Sequence, residues 1–469
     1  MKLVRLSLLA FLWLLAVPSH AERLVGELDK ILDTPGLKGG IVGAEVARVS
    51  DGQVLYARNP DTRLMPASNR KLFTAAAALE LLGDEFRLET DVRAAGGPDA
   101  AGVLRGDITL RGGGDGLLSV ADLGEMARQV ARAGVRRITG GVVGDGTLFP
   151  DGPYGEGWEW DDLSDDYAPQ ISALEVNEGI VSVRVAAGAR AGDAATVTVD
   201  PAGYLPVANS ARTMATGTAA DVRIFRPYDA GYLVVTGILP IGGAADNTAT
   251  VADPARFAAT VFRQALIRQG VTVEGPAFSA RSRGTGSLLL ASHLSLPLAQ
   301  YLAKMDKPSD NLLAESLWRV LGAEKGSGGT YAAGAAVARP FFQSLGLDAT
   351  TLTLADGSGV SRRNFVTARA VTQLLVAMHG RPDWRAFYDS LPIAGVDGTL
   401  RRRMAGTPAA GNVHAKTGTL TGASCLSGYV TGRGGALYAF SLLMNNFPAG
   451  GAAARVAQDA FTEWLAAHL

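Results

Sequence analysis

Three short polar motifs follow one another along the 469-residue chain: Ser68-Asn69-Arg70-Lys71, Ser309-Asp310-Asn311 and Lys416-Thr417-Gly418. Ser68 offers a hydroxyl nucleophile, and Lys71, three residues on, shares a helical face with it. A lysine so placed can take the serine proton once its surroundings disfavour its charge. Lowering a lysine pKa from about 10.4 to near 7 costs about 4 to 5 kcal/mol, which burial and a second cation can supply. Lys416 is the natural second cation, and its charge can also hold a substrate carboxylate. Ser309 would relay a proton to a leaving amine, while Asn311 would orient Lys71 and a substrate amide.

Lysine usage sharpens this reading. Only eight of the 44 Lys and Arg residues are lysines, yet two of those eight stand inside the motifs. Arginine does not shed its proton in a protein, whereas lysine can be tuned to do so. Both positions therefore look chosen for chemistry.

Lys416-Thr417-Gly418 reads as an edge strand on which alternation sends Lys416 and Gly418 to one face, with Gly418 leaving room for a substrate backbone. The N–H groups of Ser68 and Thr419 are the candidate oxyanion donors. One such donor is worth about 3 to 4 kcal/mol of barrier, and Ser68 gains from the positive end of a helix dipole. His414 shares the Lys416 face and reads as packing.

The elements that must position these groups are legible in outline. A helical segment over 23–33 precedes a strand over 40–49, a turn at Asp51-Gly52 and a second strand over 53–56. An alanine-rich helix over 72–82, stopped by Gly83, puts Ser68 at or near its first turn. From about 90 to 284 the texture becomes short β-type runs split by Gly and Asp, with helices expected over 120–133 and 254–268. Helical patterning returns over 297–321, broken at Lys307-Pro308 so that the second motif falls on a loop. Strands near 413–417, 426–431 and 436–444 and a closing helix over 452–467 imply an antiparallel sheet.

Composition narrows the function classes. Lys2 and Arg5, the apolar run Leu6 to Val17 and Ser19-His20-Ala21 read as a cleavable export signal over 1–21. The apolar run is short for a bilayer span of about twenty residues, and no later stretch suits a transmembrane anchor. A formal net charge of −1 with both signs interspersed gives no footprint for nucleic acid. Cys425 is the only cysteine, so no internal disulfide is available, and it reads as a small buried hydrophobe. His293, His379 and His414 form no zinc-type pair, so no metal and no cofactor is expected. The usual Gly-x-Ser-x-Gly sign of a Ser-His-Asp hydrolase is also missing.

The three motifs together are the set shared by class A β-lactamases and penicillin-binding proteins. Two longer segments, Asp356-Gly357-Ser358-Gly359-Val360-Ser361-Arg362 and Leu391-Pro392-Ile393-Ala394-Gly395-Val396-Asp397-Gly398-Thr399-Leu400, resemble the low-molecular-mass class C penicillin-binding proteins, the D-alanyl-D-alanine carboxypeptidase/endopeptidases. The 241 residues between the first two motifs (309 minus 68) fit that branch and its inserted region. The resemblance implies an α/β (α+β) fold of the serine β-lactamase/transpeptidase type, with an antiparallel five-stranded sheet and flanking helices. The expected division is a signal peptide over 1–21, a catalytic domain over 22–89 and 285–469, and an inserted, mostly β region over 90–284.

It further implies an acyl-enzyme on Ser68, acylation by β-lactam antibiotics, and trimming or uncrosslinking of peptidoglycan peptides in the periplasm. Arg362 resembles a family arginine that holds a substrate carboxylate, which suits its bidentate fork. Asp161 and Asp162 are candidates to meet a diaminopimelate amine, although the acidic stretch over 161–166 reads first as a solvated loop. A serine β-lactamase and a catalytically silent peptidoglycan-binding protein remain as alternatives.

Overall fold

The computed structural model describes residues 20–163, 165–283, 286–448 and 450–469. The export signal expected over 1–21 lies almost wholly outside the described residues.

A five-stranded antiparallel sheet organises the first and last parts of the chain. Its order is His414–Leu420, Ala423–Thr431, Leu437–Asn445, Ile41–Arg48, Val54–Arg58. The amino-terminal hairpin thus adds to the carboxy-terminal meander, with Ile41 opposite Asn445 and Arg48 opposite Tyr438. Side chains alternate across each strand. Leu426, Val430, Phe440 and Leu442 face the terminal helices His20–Leu32 and Ala452–His468 through Leu24, Leu28, Phe461 and Leu465. Cys425, Tyr429, Ala439 and Leu443 face the opposite core with Phe73, Trp318, Val371 and Leu374. Fully burying a leucine or phenylalanine contributes about 1.5–3 kcal/mol, so this two-sided burial fixes the sheet and whatever it carries.

The helix Arg70–Leu82 lies inside the second core, with Leu72 through Ala78 all buried. Its alanine run has high helix propensity and presents no bulk, which lets neighbouring helices close around it. Gly83 ends it at φ 84°, its N–H reaching the Leu79 carbonyl. The expected break near Pro308 separates Leu298–Asp306 from Asn311–Lys325. The latter starts on Asp310, whose carboxylate accepts from the Leu313 N–H at 2.8 Å. Helices Tyr331–Ser344, Ala368–His379 and Trp384–Ser390 fill a stretch the sequence left without assigned elements.

The intervening region has its own apolar core, centred on Leu110, Met126, Val183, Val235 and Phe262. Its described residues form four sheets and the helices Val120–Arg132 and Pro254–Arg268. The chain enters along Glu89–Ala94 and leaves along Leu288–Leu294, and these two strands pair antiparallel, Glu89 opposite Leu294. The strand leaving this region therefore runs ten residues past 284.

Candidate active site

Ser68 stands in a single 3-10 turn, Ala67–Asn69, that runs straight into the Arg70–Leu82 helix. It is half-buried between wholly buried Ala67 and Asn69. The N–H groups of a helix's first turn have no intrahelical acceptor, so the Ser68 amide can point at a ligand. Ala67 sits at φ 47°, a left-handed conformation that costs a residue with a Cβ about 1–3 kcal/mol and persists only under tight packing. Two glycines allow that packing. A Cβ on Gly359 would come within 2.0 Å of the Ala67 carbonyl, and one on Gly418 within 2.7 Å of the Pro66 carbonyl and 3.0 Å of the Ser68 nitrogen. The space at Gly418 is thus occupied by the serine turn itself, where the sequence suggested room for a substrate backbone.

The three motifs converge. Lys71 Nζ lies 3.2 Å from Ser68 Oγ, 2.5 Å from Asn311 Oδ1 and 2.9 Å from the Ser358 carbonyl oxygen. Lys416 Nζ lies 2.8 Å from Ser309 Oγ and 3.0 Å from the Thr417 carbonyl. Asn69 Nδ2 donates to the Lys416 carbonyl at 2.8 Å, binding the serine turn to the strand. Ser309 takes φ 70°, a second strained residue at the site. Thr417 Oγ1 meets Thr399 Oγ1 at 2.8 Å, and Thr419 is exposed on the same strand.

Both lysines are completely buried. Burial pushes the Lys71 ammonium down to about 8, against the pull of the Asp310, Asp356, Glu315 and Asp306 carboxylates. Burial also pushes Lys416 down to about 7, with the Lys71 charge adding to the shift. At both lysines burial is the largest cause of the lowering. Asp306, fully buried, is raised to about 7 by burial despite Lys416 nearby, and one of its oxygens accepts from Ser390 Oγ at 3.0 Å.

The inserted region supplies contacts that sequence alone did not indicate. The Tyr167 carbonyl accepts from Asn311 Nδ2 at 2.8 Å, completing the orientation of the amide whose oxygen faces Lys71. Trp158 Nε1 donates to Asp356 Oδ2 at 3.1 Å, and the Ser361 hydroxyl donates to the Glu156 carbonyl at 2.6 Å. An acidic segment of the insert therefore packs on the Asp356–Ser361 turn.

Arg362 extends from this turn, one-fifth exposed, 2.9 Å from Glu159 and 3.8 Å from Asp162. Asp162 is only 13% exposed and accepts from Tyr167 Oη at 2.8 Å, so it is held in place, whereas Asp161 is exposed. His414 stacks on the Tyr388 ring with centroids 4.0 Å apart, a packing role. Cys425 is buried with its thiol pushed up to about 12, the state of an inert hydrophobe.

A strained serine turn, a desolvated lysine at its hydroxyl and a second buried lysine on the adjoining edge strand form an arrangement suited to serine acyl transfer. The chain belongs to the D-Ala-D-Ala carboxypeptidase 3 (S13) family, whose model matches residues 24–468. It is 39% identical to a D-alanyl-D-alanine carboxypeptidase of Actinomadura sp. (strain R39), a match covering 99% of this chain and 90% of that protein. It is 29% identical to the D-alanyl-D-alanine carboxypeptidase DacB of Haemophilus influenzae, over 93% and 91% of the two chains. The crystal structure of penicillin binding protein 4 (dacB) from Haemophilus influenzae superposes with a TM-score of 0.82 at 27% identity, covering 92% of this chain and 98% of that one.

Proposed function

We propose that this carboxypeptidase works through Ser68 and acts on peptidoglycan peptides, removing a terminal D-Ala and cutting D-Ala cross-links. The observation that carries the assignment is the contact of Lys71 Nζ with Ser68 Oγ at 3.2 Å, aligned by Asn311 at 2.5 Å. The neutral Lys71 amine takes the Ser68 proton as Oγ attacks the carbonyl carbon of the scissile amide. The N–H groups of Ser68 and Thr419 receive the oxyanion. The leaving amine collects its proton through Ser309, which Lys416 holds at 2.8 Å. Water then resolves the ester on Ser68. A β-lactam enters the same path, and the Haemophilus influenzae penicillin binding protein 4 has been crystallised with a novel β-lactam.

In this reading Lys416 and Thr417 hold the substrate's terminal carboxylate, beside the backbone closure at Gly418. Arg362 and Asp162 frame a pair of opposite charges suited to the carboxylate and amine of a diaminopimelate side chain. Export through a signal over 1–21 would deliver the enzyme to the periplasm, where this substrate lies. The domain division follows the same proposal, two catalytic segments around one insert, with the leaving strand Leu288–Leu294 carrying the insert past the expected 284.

A fluorescent penicillin tests the core of the proposal. It should label the wild type and not Ser68→Ala, and the wild type should release D-Ala from a muramyl pentapeptide. Fast turnover of a chromogenic cephalosporin without D-Ala release would instead make the protein a β-lactamase.

A further inference from the structure

Lys71 is held by a group outside all three motifs, the Ser358 carbonyl, and that carbonyl is itself set in place from below. Glu315 is fully buried on the Asn311–Lys325 helix, one turn after Asn311. Both its oxygens accept from the Gly357 N–H at 3.1 Å, and Oε1 also accepts from the Ser358 N–H at 2.7 Å. The segment so fixed turns Ser358 O towards Lys71 Nζ at 2.9 Å. It also presents Gly357 O to Thr74 Oγ1 at 2.6 Å, on the helix that bears Lys71. One helix therefore reaches the base twice, directly through Asn311 and by way of one turn through Glu315.

A buried carboxylate is a costly way to satisfy two backbone N–H groups, because desolvation disfavours its charge. Burial, together with repulsion from Asp356, raises Glu315 to about 7. Asp356 is occupied by other partners: it accepts from the Gly359 and Ser361 N–H groups at 2.8 and 2.7 Å and from Asn364 Nδ2 at 2.8 Å. What distinguishes Glu315 is the chain of contacts from its carboxylate to the base.

We propose that Glu315 is a positioning residue for acyl transfer, holding the Gly357–Ser358 turn so that Ser358 O aims Lys71 Nζ at Ser68 Oγ. Its negative charge also favours the ammonium form of Lys71 against burial. The inference rests on the assignment of Lys71 as the base. Labelling that persists in Ser68→Ala defeats that assignment, whereas the measurements below bear on Glu315 alone.

The test is the second-order rate of acylation by a fluorescent penicillin, measured across pH for wild type, Glu315→Gln and Glu315→Asp, with thermal melting to establish folding. Glu315→Gln keeps one oxygen and removes the charge. It should slow acylation at least tenfold, on the order of what small displacements of reacting groups cost, and move the acid limb of the profile to lower pH. Glu315→Asp keeps the charge one methylene short; it should slow acylation with the limb in place. Folded Glu315→Gln with an unmoved limb overturns the proposal by reducing Glu315 to a packing role. Should Glu315→Gln fail to accumulate, Glu315→Asp decides alone, and acylation at the wild-type rate overturns the proposal.

Discussion

Asn69 Nδ2 donates to the Lys416 carbonyl at 2.8 Å, a buried bond between residues 347 positions apart. It ties the turn carrying Ser68 to the strand carrying Lys416. Removing a buried partner leaves the other unsatisfied, at about 1–3 kcal/mol. Asn69→Ala should therefore lower the melting temperature and, because the tether sits beside Ser68, also reduce penicillin acylation. Unchanged acylation in the folded variant would show that packing alone holds the turn.

Acylation should follow the protonation of Lys71. Its pKa is lowered to about 8, so the neutral fraction grows as pH rises through that value, and the rate should climb and then level off. The linked stability has a definite sign: between about 8 and the unfolded value near 10.4, the unfolded chain binds the extra proton, so Lys71 contributes stability as pH rises through that window. An acylation limb centred near 10 would mean that Lys71 is not desolvated in solution.

Lys71→Arg keeps a cation in the pocket but fixes its proton. Acylation should fall by about 10²–10⁴, the usual worth of a general base, while folding is retained. Stopped-flow mixing with a reporter β-lactam gives the rate, and wild-type acylation would remove Lys71 from the mechanism.

Gly418→Ala should act on rate more than on substrate affinity. The added methyl would meet the Pro66 carbonyl at 2.7 Å and the Ser68 nitrogen at 3.0 Å, so the nucleophile turn must move. A shift of this kind costs about 10²-fold in rate. Steady-state release of D-Ala should show a fall in kcat; a rise in KM alone would restore the reading in which Gly418 clears space for substrate.

The motifs were legible because each is local. Ser68 and Lys71 are three apart on one helical turn, and Asp310-Asn311 follows a proline that forces the loop. The break at Pro308, the alanine helix and the carboxy-terminal strands follow from patterns a few residues long. The pairing of Ile41 with Asn445 leaves no such trace, since nothing in either strand names its partner. Glu315 left one faint signal, a carboxylate one turn after Asn311 and one turn before Arg319 on a helix otherwise rich in leucine. Trp158 and the Tyr167 carbonyl left none: an exposed-looking acidic stretch and a backbone oxygen acquire meaning only when the insert folds back.

Glu89–Ala94 and Leu288–Leu294 lie side by side as neighbouring strands of one five-stranded sheet, so the inserted region begins and ends at the same place. Excision of the inserted region would strip the Asn311 amide of its Tyr167 acceptor and Asp356 of its indole donor. The appended region is in this sense built into the surroundings of Asn311 and Asp356, and trimming it would leave two polar groups without these partners.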